Sequence, residues 1–426
     1  MPHRAASHPL WIVVAVLVMT TGWPPAARAF DQTGQIELVV TDASGARIEQ
    51  VVLVLTGTGL PGFREGRTDD DGRHVFGAVP PGRYDLRLRR EGYGELVHEG
   101  IVLHAGRTVS LRPALPRGPL SDTVTVTATP PLIDPIGTSS LHTFDRDFLD
   151  RALIGLANRN LTAPLETAPG VTAGADPRIR GSGPMENLFL LDGADIGNPD
   201  PRGAVSTAGP VFEAIEEIQF QTGAMGAEFG RSTGGVANVI TRSGGNTFGG
   251  SLDLRYSDRN LLRSGDRFDP DAIGYRRAFS EASVGGPIAR DRLWFFFALG
   301  DYRLQDAPAG SPETASGTGN SYLGKVTWQI DPAHKLSMLY TASGQDVDNF
   351  NASSLTDETA LGHAEFESRL TSAEYVGMLG PRVIVQARAA LFDAGWEERP
   401  QSGDTTTRSA TEYLTDRRTG NYRTVD

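Results

Sequence analysis

The chain has 426 residues, 39% hydrophobic and 22% charged, with 50 glycines, 27 prolines and no cysteine. That apolar content supports folded structure in roughly two to four domains, and the glycine and proline content favours turns and short strands over long helices. The missing cysteine excludes disulfide scaffolds, thiolate zinc sites, iron–sulfur clusters and cysteine nucleophiles. A net charge of −12 gives no electrostatic reason to bind nucleic acid, and a mean hydropathy of −0.25 excludes a bundle of membrane helices.

At the start of the chain, Arg4 precedes a ten-residue apolar run from Leu10 to Met19, and Ala27-Arg28-Ala29 has the small-x-small pattern. This predicts an export signal over residues 1–29, cut between Ala29 and Phe30. Pro24-Pro25 stop the run short of the roughly 20 residues that a spanning helix needs. Loss of Arg4 and Arg28 takes the net charge from −12 to −14. No later run reaches about 18 apolar residues, so membrane insertion would have to use strands.

From Thr33 to Leu115 the pattern predicts a small β-domain. Ile36, Leu38 and Val40 alternate along one stretch, Val51 to Leu55 is a short apolar run, and Tyr84, Leu86 and Leu88 alternate with Asp85, Arg87 and Arg89. Short strands separated by turn signals predict a sandwich. Thr68-Asp69-Asp70-Asp71-Gly72, Phe76 to Tyr84 and Glu91-Gly92-Tyr93 together resemble the carboxypeptidase regulatory-like domains, which are transthyretin-like β-sandwiches. That resemblance implies a spacer or contact module and no peptidase chemistry.

The stretch 116–136 reads as a linker, with prolines at 116, 119, 130, 131 and 135. Between them, Asp122-Thr123-Val124-Thr125-Val126-Thr127-Ala128 is β-prone with no local partner. Such a segment either adds itself to another protein's sheet edge or forms one more strand of the preceding sandwich. Residues 137–247 read as mixed α/β. Short helical turns are expected near Phe144, Leu149, Leu153 and Leu156, and strands at Asn187–Leu191 and Ile215–Gln221.

Residues 248–426 change to period two, seen at 250–257, 322–330, 335–341 and 382–391, with less regular runs at 277–287, 292–303 and 367–379. This predicts about seven strands of roughly 8–13 residues, near the length needed to cross a bilayer obliquely. Short connections at 286–291, 331–333 and 380–381 alternate with long polar gaps at 258–276, 304–321 and 343–366. An outer-membrane barrel has this asymmetry, whereas a soluble sheet explains only the alternation. Trp294, Tyr302, Tyr322, Trp328 and Tyr340 fall near predicted strand ends, where interfacial aromatic girdles belong.

Two chemical motifs fail on context. Gly230-Arg231-Ser232-Thr233-Gly234 has the nucleophile-elbow spacing, but a strand-like run rather than a helix follows it. Gly57-Thr58-Gly59-Leu60-Pro61-Gly62 has a dinucleotide fingerprint, but Pro61 and Gly62 forbid the helix that would hold a pyrophosphate. The eight histidines show no ligand spacing, so neither a metal nor a cofactor is expected.

The most specific stretch is 176–250. Arg178-Ile179-Arg180-Gly181, Asn187 to Asp192-Gly193, Ile215-Glu216-Glu217-Ile218-Gln219 and Gly223 to Asn246 occur in series. The last includes Gly230-Arg231, Gly234-Gly235 and Arg242. This series resembles the plug domain of TonB-dependent outer-membrane receptors, and with the N-terminal sandwich the arrangement is similar to the Oar-like group. The resemblance implies a mainly β protein: a transthyretin-like sandwich at 30–115, a linker at 116–136, an α/β plug at 137–247 and the first part of an antiparallel transmembrane β-barrel at 248–426. It implies that Asp122 to Ala128 is a TonB box, which pairs with the periplasmic energy-transducing protein TonB. The function it implies is energy-coupled uptake across the outer membrane, without covalent catalysis. The ligand is left open among siderophore, glycan, peptide and cobalamin, and outer-membrane lipid would surround the barrel. Gly181 and Gly193 fit turns needing unusual backbone angles, and the glycines at 223, 226, 230, 234 and 235 suggest adaptable backbone. Arg180, Glu216 and Glu217, and likewise Arg231 and Arg242, either form ion pairs holding the plug to the barrel wall or stand as solvated charges. The family barrel has about 22 strands, so a chain supplying seven or eight is expected to be the front portion of a longer receptor. The rival reading is an exported glycan- or protein-binding module without transport.

Overall fold

The computed structural model describes residues 33–420 apart from 58–59, 61, 105–106, 119–122, 128–139, 152–160, 173–177, 184–185, 198–209, 223–231, 262–273, 309, 312, 332, 380–382, 404–405, 408 and 413–416. The predicted cleavage site at Ala29 and Phe30, the ends Asp122 and Ala128 of the box-like segment, and Gly230 and Arg231 lie outside the described residues. No described helix is long and apolar enough to cross a membrane.

The first domain is a sandwich. One layer holds β1 (Gly34–Val39) between β5 (Arg73–Val79) and β8 (Thr108–Leu111), extended by the pair β2 (Thr41–Asp42) and β9 (Ala114–Leu115). The other holds β3 (Val52–Gly57), β4 (Phe63–Arg67), β6 (Gly82–Arg89) and β7 (Glu95–Leu103) in the order β7-β6-β3-β4. Ile36, Leu38, Leu53, Leu55, Tyr84, Leu86 and Leu88 are all buried between the layers. The alternation read in the sequence is therefore the inward face of each strand. Gly57 ends β3 and the next strand begins at Phe63, so the dinucleotide spacing precedes a strand.

The box-like segment lies against the preceding sandwich, one of the two places open to it from the sequence. Its residues Thr123–Thr127 form β10, which adds to the sandwich sheet alongside β7 in parallel, from Thr123↔Glu95 to Thr127↔Glu99. An edge strand leaves a row of unpaired backbone groups, and β7 offers that row to the nearest β-prone stretch of chain.

The second domain is a five-stranded sheet in the order β11 (Ser140–Asp145), β16 (Ile215–Thr222), β17 (Gly235–Thr241), β14 (Leu188–Leu191), β15 (Ala194–Asp195), with a small pair β12 (Val171–Thr172) and β13 (Arg178–Ile179). A short helix α1 (Arg146–Arg151) follows β11. Phe144, expected in a helical turn, belongs to β11. Leu153 and Leu156 lie outside the described residues. All seven residues of β17 are buried.

The third part is one antiparallel meander of β18 (Gly249–Asp258), β19 (Gly274–Ala289), β20 (Leu293–Ala307), β21 (Ala315–Asp331), β22 (His334–Phe350), β23 (Gly362–Leu379) and β24 (Val383–Pro400) in chain order. The count of seven agrees with the period-two reading, but six strands have 15 to 18 residues, longer than expected. The connections after β20 and β22 are correspondingly shorter. A small pair, β25 (Ala410–Thr411) and β26 (Arg418–Thr419), follows.

Cross-strand partners share a face, and the register separates the meander into two surfaces. Outward stand Leu252, Leu254, Tyr256, Val284, Leu299, Trp328, Met338 and Leu391, each at least 40% exposed. The inward surface carries Glu281, Ser283, Lys325, Thr327, Thr341 and Ser372, all buried against the second domain. The aromatic reading needs correction. Trp294 is buried on the inward surface, and its Nε1 donates to Asn246 Oδ1 at 2.8 Å. Tyr302 also points inward, opposite Phe279. Tyr322 and Tyr340 face outward but lie in mid-strand. Trp328, beside the 331–334 turn, keeps the expected place.

Candidate functional site

The second domain meets the inward wall at a hairpin tip. Leu191 pairs with Ala194, leaving Asp192-Gly193 as a two-residue turn with φ of +46° and +71°. Two consecutive positive φ values are the type I′ geometry that Asp-Gly favours. Asp192 thereby aims its carboxylate at the next strand. Thr241 N and Oγ1 donate to its two oxygens at 2.9 and 2.6 Å. Across the gap, Lys325 Nζ of β21 donates to Asp192 Oδ2 at 2.9 Å, to Thr241 Oγ1 at 2.9 Å and to Thr241 O at 3.1 Å. All three ammonium protons are satisfied, and the side chains of Lys325 and Asp192 are only 10% and 8% exposed. Arg388 of β24 grips the same tip, donating to Gly193 O at 3.2 Å while paired with Glu374.

A second set of contacts binds residues 212–213 and Arg242 to β18–β20. Phe212 N donates to Glu281 Oε1 at 3.1 Å. The Glu213 carboxylate accepts from Arg146 at 2.9 Å and from Ser251 Oγ at 2.8 Å. Arg242 lies over the Phe296 ring at 5.1 Å and 3.4 Å from Ser283 Oγ. The apolar core crosses the same boundary, with Phe189, Ile218, Phe220 and Val239 packed with Phe296, Ala298, Leu323 and Leu339.

The predicted charges divide differently from expectation. Among the described ones, Arg242 alone touches the wall. Arg180 is exposed and takes φ +52° in a turn closed by Ser182 N donating to Ile179 O at 3.0 Å, with Gly181 at +78°. Arg180 makes no ion pair among the described residues. Glu216 faces Arg242 within its own domain at 3.9 Å, and burial raises its carboxyl pKa. Glu217 turns to the sandwich, where His104 Nδ1 lies 2.9 Å from Oε2, and Gln219 Nε2 donates to Oε1 at 2.8 Å. The hydrogen bond to Glu217 raises the His104 pKa, against the opposing effect of burial. Gly181 and Gly193 meet the backbone expectation. Gly234 and Gly235 do not: a Cβ on Gly234 would stand 2.3 Å from Asn187 Oδ1 and Ser182 Oγ, and one on Gly235 would stand 2.8 Å from Ile179 Cδ1. They are glycine for close packing rather than for adaptable backbone. Ser232 is buried with Oγ 2.9 Å from the carbonyl oxygens of Glu186 and Gly235, and β17 follows it. It has neither the exposed hydroxyl nor the following helix of a nucleophile elbow.

A cavity of about 520 Å³ lies where the three parts meet, lined among others by His104, Glu216, Arg242, Lys325 and Lys335. At the far end of the wall, Phe366 and Trp396 stack on the inward surface with centroids 5.9 Å apart. Asp346, Asp348 and His363 each offer one donor atom within 4.8 Å of the others, a set that could accept a divalent cation. The three come from two paired strands, so the linear spacing of histidines did not disclose them. Lys325 was likewise missed, because in sequence it is one polar member of an alternating run.

Comparison with known proteins agrees with this architecture. Residues 35–116 match the carboxypeptidase regulatory-like domain and residues 139–236 match the TonB-dependent receptor plug domain. The chain is similar to the TonB-dependent transporter Oar of Myxococcus xanthus, at 28% identity over 366 residues, covering 75% of this chain and 34% of the relative. It is also similar to the ferrienterobactin receptor of Escherichia coli K12, at 30% identity over 159 residues, covering 32% of this chain and 20% of that one. The chain thus spans about a third or less of the length of these relatives. The crystal structure of the outer membrane transporter YddB from Escherichia coli aligns with a TM-score of 0.52 at 15% identity, over 65% of this chain and 42% of that chain, a likeness of fold. The chain therefore carries a regulatory-like sandwich, a plug domain and a partial barrel-like sheet, and its homologues are transporters and receptors of the outer membrane.

Proposed function

We propose that this chain is the N-terminal portion of a TonB-dependent outer-membrane receptor that takes up a ligand by energy-coupled transport. The observation that carries the reading is the plug sheet seated on an inward face that mixes polar and apolar residues, on a meander whose outward face carries exposed apolar ones. Hydrocarbon requires every backbone group of a spanning strand to be paired within the protein, and lipid-facing alternation with a polar interior is the outer-membrane solution. In this reading residues 1–29 direct export and are removed at Ala29–Phe30. The outward face meets lipid, and the inward aromatic pair Phe366–Trp396 lies on the side where ligand enters. Asp122 to Ala128 is the segment a TonB-type protein pairs with, by strand addition.

The test is binding of the periplasmic domain of a TonB-type protein to the full chain, with and without Val124→Pro. Proline removes a backbone donor and resists strand pairing, so binding is expected to be lost. Undiminished binding by Val124→Pro would remove the box assignment.

A further inference from the structure

Strand β7 has two attachments that no domain assignment explains. Its first five residues carry β10, and the residue immediately after its last, His104, reaches the plug at Glu217. We infer that β7 is the mechanical link between the box-like strand and the plug, with His104 as the positioning residue that passes a pull on β10 into β16. The inference rests on the TonB-box reading for the source of the pull, and on the geometry for its path.

The path begins with the ladder. β10 and β7 are parallel, and the C-terminal end of β7 abuts the plug, so both strands point their C-terminal ends towards it. A pull on β10 away from the plug therefore runs along the strand axis. It loads all the bonds of the ladder together, in shear, rather than peeling them one at a time. β7 does not slide in its place, because its other edge pairs with β6 from Gly82↔Leu103 to Leu88↔Leu96.

The receiving end is firm. The Glu217 side chain is 4% exposed, and its two oxygens are occupied by His104 and Gln219. Removing His104 would leave one carboxylate oxygen buried without that partner, which costs more than the bond itself contributed. Glu217 also sits where the β16–β17 ladder shifts register, between Ile215 and Glu217. A bulge locally disrupts a ladder, so load entering at Glu217 meets the plug sheet at its least regular point. The sandwich becomes part of the transmission rather than a passive spacer.

The absence of cysteine permits a direct test by single-molecule pulling on the full chain in lipid nanodiscs. Handles are attached at Thr123→Cys and, in the connection after β22, at Asn351→Cys. With His104 in place, the first rupture is expected to unravel plug residues of β16. With His104→Ala the sandwich is expected to separate from the plug first, so that unravelling of β16 is no longer the first event. His104→Gln, whose amide can still donate to Glu217, should restore it in part. Hydrogen exchange at rest that matches the parent everywhere but around Glu217 shows that the His104→Ala variant is folded. An unchanged first rupture in His104→Ala overturns the inference, and so does β10 peeling from β7 before any other event. The assay contains no TonB-type protein, so its result is separate from that of the Val124→Pro comparison.

Discussion

Lys325→Met isolates the buried ion pair between plug and wall. Methionine keeps most of the length and removes the charge. The change leaves Asp192 as a buried carboxylate holding only Thr241, after loss of three donor contacts at 2.9, 2.9 and 3.1 Å. Removing one partner of a buried ion pair costs about 3–5 kcal/mol. Lys325 borders the cavity between the three parts, which gives Asp192 some access to solvent, so the lower end applies. About 3 kcal/mol is roughly a hundredfold in the equilibrium between seated and released plug. Hydrogen exchange of the β14, β15 and β17 amides in the full chain reads this directly, as faster exchange by roughly that factor. Asp192→Asn combined with Lys325→Met provides the control. The asparagine amide can still accept from Thr241 N and donate to Thr241 Oγ1, and no charge remains buried, so exchange should return to within about tenfold of the parent. Exchange in Lys325→Met that rises less than about threefold, or a double variant worse than the single, would refute a seating role for the Lys325–Asp192 pair.

Leu254→Lys places a charge at a position 67% exposed on the outward face, and should cost about 2–4 kcal/mol if that face meets the bilayer midplane. Urea titration of the chain folded into vesicles measures it, and an equal midpoint for parent and variant would argue for a water-facing surface. Gly193→Val forces a β-branched residue to φ +71° and should destabilise the hairpin tip by about 1–2 kcal/mol, seen as a lower Tm. The His104–Glu217 contact should depend on pH. The folded-state pKa of His104 is raised above its ordinary 6.5, so the contact's stabilisation is fully present below the ordinary value and is lost as pH rises through the raised one. Exchange at Glu217 followed across roughly pH 5–9 should show this loosening, and His104→Gln should flatten it.

What the sequence discloses and what it conceals follow one physical division. Where a strand has water, lipid or a polar partner on one side and a core on the other, the period of two survives in the residues, as at Leu252, Leu254 and Tyr256. β20 shows the opposite case. Its run Leu293-Trp294-Phe295-Phe296-Phe297-Ala298-Leu299 is apolar on both faces, because one face is outward and the other packs on the plug core through Phe296 and Ala298. The alternation vanishes there, and Trp294 could be assigned to a girdle only by its nearness to a strand end. Turn chemistry was legible for the same local reason: Asp192-Gly193 and Arg180-Gly181 carry their backbone requirement within two residues.

Pairing between distant segments has no such local trace. Lys325 and Asp192 are 133 residues apart, and Glu217 and His104 are 113 apart in different domains. Nothing in the residue types says that Glu217 turns to the sandwich while Glu216, next to it, faces Arg242. The two adjacent glutamates sit where the β16–β17 ladder shifts register between Ile215 and Glu217, so even the simple alternation of faces along a strand does not assign each its neighbour. The plug thus meets the wall through Thr241 and Arg242 and the sandwich through Glu217, and all three residues border one cavity. A displacement applied through Glu217 therefore acts on the β16–β17 ladder and so on the strand that ends at Thr241 beside Arg242, the plug's own ends of the wall contacts.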